Sequence, residues 1–142
     1  MWGGCHVTPA LADTRSNSAT IRCMDSTQGI RLVEAEQADL HLEISNQSFR
    51  DDPVGLTVEI DGSQVLTGSF EVRNQHHRVR FPVRIPPGAH TLSVVSDTGA
   101  SLRQPFRMPE IGRRYAAIEY WNEAEDERHI TWYLSARPLG MK

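Results

Sequence analysis

Residues 54–62 read Val54-Gly55-Leu56-Thr57-Val58-Glu59-Ile60-Asp61-Gly62, and their pattern decides the fold. Val54, Leu56, Val58 and Ile60 fall on one side of an extended chain while Thr57 and Glu59 fall on the other, the period of two that marks a strand with one buried face. Asp61-Gly62 then supplies the left-handed backbone that a tight hairpin turn requires. A return strand is expected from about Gln64 to Val72, with Leu66, Phe70 and Val72 inward and Gly68 as a bulge or close-approach point.

The same grammar extends both ways. Upstream, Leu40, Leu42 and Ile44 alternate with His41, Glu43 and Ser45. Downstream, Val79, Phe81, Val83 and Ile85 alternate with Arg78, Arg80, Pro82 and Arg84, so that strand has a basic outer face and Pro82 pushes it toward a sheet edge. Pro86-Pro87-Gly88 breaks the chain before His90, Leu92 and Val94, and Asp97-Thr98-Gly99 breaks it again before Leu102, Phe106 and Met108. In Arg114 to Asn122 both parities are covered, Tyr115, Ala117 and Trp121 against Ala116, Ile118 and Tyr120. An acidic tip at 123–127 precedes a last strand carrying Ile130, Trp132 and Leu134 on one face.

About eight short strands with short connections and no convincing amphipathic helix predict an all-β chain, a single antiparallel β-sandwich of immunoglobulin-like or related type. A small closed barrel has the same alternation and is the rival architecture. The 142 residues suit one domain. Residues 6–28 are rich in Thr, Ser, Asn, Asp and Gly and show no period, so 1–38 is read as a flexible leader or tether and 39–142 as the sandwich. Within the leader, Glu34 to Asp39 suits one helical turn approaching the first strand. No stretch approaches the roughly 18 to 20 apolar residues that span a bilayer. A formal net charge of -3 offers no general attraction for a polyanion, which disfavours nucleic acid.

Reaction chemistry finds little support in the residue order. The serines sit in no Gly-x-Ser-x-Gly elbow, and no Ser, His and Asp set stands out. Adjacent His76 and His77 project to opposite faces if extended, while His41, His90 and His129 fall in separate strands, so no metal site is expected. Cupredoxin, dismutase and transthyretin-like hydrolase sandwiches each need a motif this chain lacks. The acidic tip reads as a solvated loop without EF-hand ligand order. Neither catalytic residues nor a cofactor are therefore expected, and the chain reads as non-enzymatic. Cys5 and Cys23 either pair, closing a loop of about 18 residues for about 3 kcal/mol in an oxidising compartment, or remain two reduced thiols. With only His6 nearby they fall short of a zinc site.

Binding chemistry has more to draw on. Tyr115, Tyr120, Trp121, Trp132 and Tyr133 could stack on sugars or anchor a protein partner, with Tyr120 and Tyr133 expected at the surface. Arg78, Arg80 and Arg84 form a basic stripe. Together with Arg73, Arg103 and Arg107 they would suit an acidic glycan, a lipid headgroup or a protein if both sets reach one surface, and a solvated edge that resists aggregation otherwise. His90 shares the inward parity of Leu92 and Val94, so its ring is expected to hydrogen-bond the preceding turn as a cap rather than to catalyse.

Two resemblances bear on location. Met1-Trp2-Gly3-Gly4-Cys5 resembles the last residues of a bacterial lipoprotein signal, which implies an acylated Cys5. The stretch Ile85-Pro86-Pro87-Gly88-Ala89-His90-Thr91-Leu92-Ser93-Val94 resembles the Pro-Gly-x-His-x-Leu opening of a strand in bacterial envelope sandwich modules, including PEGA-like domains. More widely, residues 39 to 140 resemble small uncharacterised bacterial lipoproteins or secreted β-sandwich proteins, through Leu42-Glu43-Ile44-Ser45-Asn46-Gln47-Ser48-Phe49, Ile60-Asp61-Gly62 and Tyr115-Ala116-Ala117-Ile118-Glu119-Tyr120-Trp121. The resemblance implies an extracytoplasmic sandwich of the cell envelope or secreted space and carries no catalytic residues with it. The resulting expectation is a non-enzymatic binding or interaction module for a protein or envelope polymer, meeting the membrane only through a Cys5 lipid anchor. A carbohydrate-binding module using exposed aromatic rings is the alternative.

Overall fold

The computed structural model describes residues 22–23, 29–48, 50–72, 78–122 and 127–138. Its strands are β1 (Arg22–Cys23), β2 (Arg31–Leu32), β3 (Leu40–Asn46), β4 (Val54–Ile60), β5 (Ser63–Phe70), β6 (Val79–Arg84), β7 (Gly88–Ser96), β8 (Ser101–Met108), β9 (Arg114–Asn122) and β10 (Arg128–Ser135). One sheet has the order β1-β5-β4-β7-β8 and the other β10-β9-β3-β6-β2. Each is thus four long strands with a two-residue strand at one edge. The sheets pack as a sandwich and not as a closed barrel. Phe106 and Trp132 bring the edges β8 and β10 together with ring centroids 5.3 Å apart, but the two strands do not pair.

Alternation explains the packing. Leu40, Leu42 and Ile44 on β3, Val54, Leu56, Val58 and Ile60 on β4, Phe81 and Val83 on β6, Leu92 and Val94 on β7 and Ala116, Ile118 and Tyr120 on β9 all lie between the sheets, buried. Each such aliphatic or aromatic side chain contributes about 1.5–3 kcal/mol before chain entropy is counted. The hairpin from β4 to β5 turns as its sequence predicts, with Asp61 at φ 55° and Gly62 at φ 84°, both in the left-handed region.

Several expectations are corrected. Gly68 is not a bulge and sits in regular register opposite Leu56. The register shifts instead between Val58 and Glu59, which leaves Val65 as the extra residue of β5 and buries both Val65 and Leu66. The break at Pro86-Pro87-Gly88 is a crossing between the sheets and not a hairpin. Two residues without N–H groups cannot close a hairpin ladder, and they carry the chain from one sheet to the other, with Gly88 at φ 114°. Short connections do not make every neighbour antiparallel, because β3 and β9 pair in parallel at the centre of the second sheet. Pro82 is one strand in from the edge, next to two-residue β2, where its carbonyl oxygen accepts from Val33 N–H. Packing also begins before residue 39: Ile30 and Leu32 are buried in the core, and Ala35–Gln37 form a single 3-10 turn leading into β3.

Polar knots tie down both ends of the sandwich. At one end His90, buried as its parity predicts, places Nδ1 2.5 Å from Asp61 Oδ2 and donates from Nε2 to the Pro86 carbonyl oxygen at 2.8 Å. Asp61 Oδ1 also accepts the Thr91 N–H at 2.8 Å. The histidine therefore caps two turns at once. At the other end Asp51 Oδ2 accepts from the Tyr120 hydroxyl (2.6 Å), Asn122 Nδ2 (3.0 Å) and Arg128 Nε (3.1 Å). With the Tyr120 proton committed to Asp51, the Thr98 hydroxyl donates to Tyr120 and that of Ser96 to Thr98, linking β7 in one sheet to β9 in the other.

The hydrogen bond from Tyr120, joined by Arg128 and Asn122, outweighs desolvation and holds the Asp51 carboxyl below the usual carboxylate range. A depressed carboxylate pKa contributes stability that is complete above the unfolded value, near pH 4, and is lost as pH falls through the folded one. Asp51→Ala is accordingly expected to lower unfolding stability by about 2 kcal/mol at neutral pH. Urea titrations from pH 7 to about pH 3 should show a shallower acid decline in the variant than in the parent chain.

Candidate binding face on the second sheet

β3 is buried along its whole length on both sides. Its inward residues meet the core, and its outward residues His41, Glu43 and Ser45 are also buried, covered by side chains from the strands on either side. Register defines the neighbours. His41 lies between Pro82 on β6 and Tyr115 on β9, and Glu43 between Arg80 and Ala117, while Ser45 has Glu119 beside it. β10 completes the rows with Tyr133 opposite Ala117, Thr131 opposite Glu119 and His129 opposite Trp121.

A carboxylate with 5% side-chain exposure on an outer face must be paired, because an isolated buried charge is strongly disfavoured. Glu43 Oε2 takes Arg80 Nε at 3.1 Å and Arg80 Nη2 at 2.5 Å, and Oε1 takes Arg78 Nη1 at 3.3 Å. Arg78 Nη2 reaches Glu119 Oε2 at 3.5 Å. Glu119 Oε1 accepts from the Thr131 hydroxyl at 3.4 Å, and that hydroxyl oxygen accepts from Trp121 Nε1 at 3.1 Å. A continuous ladder thus runs from Arg80 on β6 to Trp121 on β9.

Aromatic rings flank this ladder. His41 stacks on Tyr115 with centroids 5.1 Å apart and planes within 9°, and Trp121 stacks on His129 at 6.3 Å and 10°. Desolvation, then the charges of Arg80 and Arg113, hold His41 below its ordinary pKa against the opposing pull of Glu43. Its ring is therefore neutral at pH 7, in keeping with a buried Nδ1 that has no hydrogen-bond partner. Tyr133 is 60% exposed and stands out from the same face.

Four of the five residues expected to bind a ligand, Tyr133, Arg78, Arg80 and Arg84, therefore share this face. Arg84 lies at its margin, donating to the Gln37 carbonyl oxygen at 3.1 Å. Tyr120 is a correction: it has the parity of Ala116 and Ile118, is 0% exposed, and serves the Asp51 knot inside the sandwich. The second arginine set does not join the first. Arg103 and Arg107 lie on β8 of the other sheet, exposed on its far side.

Cys5, Arg73, His76, His77 and the acidic tip at 123–126 lie outside the described residues, as does the side chain of Cys23. Among the described residues no group of three or more His, Cys, Asp and Glu side chains is placed to hold a metal ion. Sequence reasoning missed Glu43, Glu119 and Thr131 as the polar frame of the face. Tyr115 and Trp121 share a parity opposite to Tyr120, so with Tyr120 inside both fall on the outer face.

Comparison with protein-family models, curated proteins and solved structures finds no match to this chain. The geometry of the face alone bears on its chemistry. Glu43→Ala would leave two guanidinium groups without their shared partner, and with Arg80 56% exposed the expected loss is about 1–3 kcal/mol rather than the larger penalty of a fully buried pair. Chemical denaturation measures it. A loss below about 0.5 kcal/mol would show that the ladder contributes no more than a surface ion pair.

Proposed function

We propose that this chain is a non-enzymatic, extracytoplasmic binding module whose ligand surface is the outer face of the β10-β9-β3-β6 sheet. The observation that carries the reading is Tyr133, which stands 60% exposed on the same face as two stacked ring pairs and a prearranged strip of guanidinium and carboxylate groups. Groups held in place before binding lose less entropy on contact, which is what a recognition surface needs. The sandwich is of immunoglobulin-like or related type in this reading. β4 and β7, the second and fifth long strands, pair as in immunoglobulin domains, whereas β3 lies beside β6 and β9 and not beside β4.

Between the two ligand classes, the face favours carbohydrate over protein. Protein interfaces are depleted of charge at their centre and rich in apolar anchors. Here the centre is the Glu43–Arg78–Glu119 ladder, with rings around it. The extracytoplasmic location and the Cys5 lipid anchor rest on the sequence resemblances.

Retention of the purified protein on insoluble peptidoglycan sacculi, compared with Tyr133→Ala, tests the face. The substitution is expected to weaken binding about fivefold, corresponding to roughly 1 kcal/mol of aromatic contact. Equal retention of both proteins would move the ligand to another surface, and no retention on sacculi or any glycan array would remove the carbohydrate reading. For the anchor, cells expressing the gene with its natural upstream sequence are fed a labelled fatty acid. Label that disappears in Cys5→Ser is expected, and an unlabelled parent chain would rule the anchored form out.

A further inference from the structure

The rings of the binding face are arranged in two groups along the strand direction. Tyr115, stacked on His41, has Tyr133 one row further along. Trp121, stacked on His129, forms the second group. Six residues of β9 separate Tyr115 from Trp121, about 20 Å at the ordinary strand rise, and four residues of β10 separate Tyr133 from His129, about 14 Å. The strip between them carries Ala117, Glu119 and Thr131, bordered by Glu43 and Arg78.

Charge within the strip is balanced, two guanidiniums from Arg78 and Arg80 against two carboxylates from Glu43 and Glu119. Within the strip itself an anionic group meets no net charge, with Arg84 and Arg113 standing beyond it on the His41 side, whereas hydroxyl groups can donate to Glu119 and accept from N–H groups left over by the ion pairs. The indole is fixed by its own hydrogen bond to Thr131, which sets the plane on which a ring can stack. Across the strands, by contrast, the row from Tyr133 to Arg80 meets no second ring.

Building on the binding face proposed above, we infer that its ligand is a linear, uncharged polysaccharide segment lying along β9 and β10. One sugar ring stacks on the Tyr115–Tyr133 group and another on the Trp121–His129 group. Hydroxyls between them hydrogen-bond Glu119, Arg78 and Thr131, the half-buried members of the ladder. The two platforms act through one chain, so the second contact is intramolecular once the first is made.

Calorimetric titration of the full chain with linear β-1,4-linked cello- and chito-oligosaccharides, from disaccharide to hexasaccharide, tests this. Affinity is expected to rise about tenfold or more with length, and to change by less than about twofold on adding salt. Tyr133→Ala and His129→Ala, both at exposed positions, should each weaken the hexasaccharide about fivefold while their circular dichroism stays that of the parent. A flat dependence on length, or His129→Ala and Trp121→Phe both at parental affinity, would overturn the two-platform mode and leave a single-ring site on the same face. Steep loss with salt would overturn the uncharged ligand. If no oligosaccharide binds, the inference fails, and retention on sacculi then decides whether the face itself fails with it.

Discussion

The buried carboxylate of Glu43 is the constraint around which the outer side of the second sheet is organised. A charge on a central strand that is covered from both sides has to be neutralised where it stands. Arg80 on the neighbouring antiparallel strand and Arg78, just before that strand begins, are in position to do so, since residues of equal parity share a face. Once Arg78 is held, its remaining amino group reaches Glu119, and Thr131 and Trp121 follow. The basic stripe of β6 is thus a set of fixed, charge-matched hydrogen-bonding groups. It is not a free electrostatic patch but a row of directional donors and acceptors.

Burial of one face excludes a one-residue slip of any strand, but a slip of two residues keeps the apolar set inward and the core alone is non-directional. Carboxylates at the two ends remove that freedom. Asp61 binds the β4–β5 turn to the start of β7 through His90 and Thr91, while Asp51 binds its loop to β9, β10 and, through Thr98, to β7. The outer face of the second sheet, the surface proposed to bind, is consequently held between two pinned ends, which keeps its rings at fixed spacing.

Strand identity was legible in the sequence because a period of two and left-handed turn residues are local properties. All eight long strands follow from it, and so does the inward cap at His90. Strand order was not legible, since the partners of β3 come from distant parts of the chain and a three-residue connection such as Ile85-Pro86-Pro87 can either turn back or cross to the other sheet. Tyr120 was misplaced because β9 has large residues on both parities, and only the polar partner waiting at the sandwich end shows which tyrosine goes inside. Glu43 looked like an ordinary solvated strand residue. Its burial arises from the side chains of β6 and β9, which no local pattern reports. Ile30 and Leu32 were hidden in a polar stretch for the same reason: a two-residue strand shows no period.

The parallel pairing of β3 with β9 has a consequence for how the molecule is made. Leu40 must wait for Arg114, and Ile44 for Ile118, before the middle of the second sheet exists. Every other long strand except β10 lies between them in the chain. The first sheet, by contrast, assembles from the sequential hairpins β4–β5 and β7–β8. Such distant contacts slow folding, because loop entropy is lost before the contact repays it. During synthesis β3 therefore emerges early as an unpaired, Leu- and Ile-bearing strand, and its protection from aggregation until β9 arrives becomes a matter of timing.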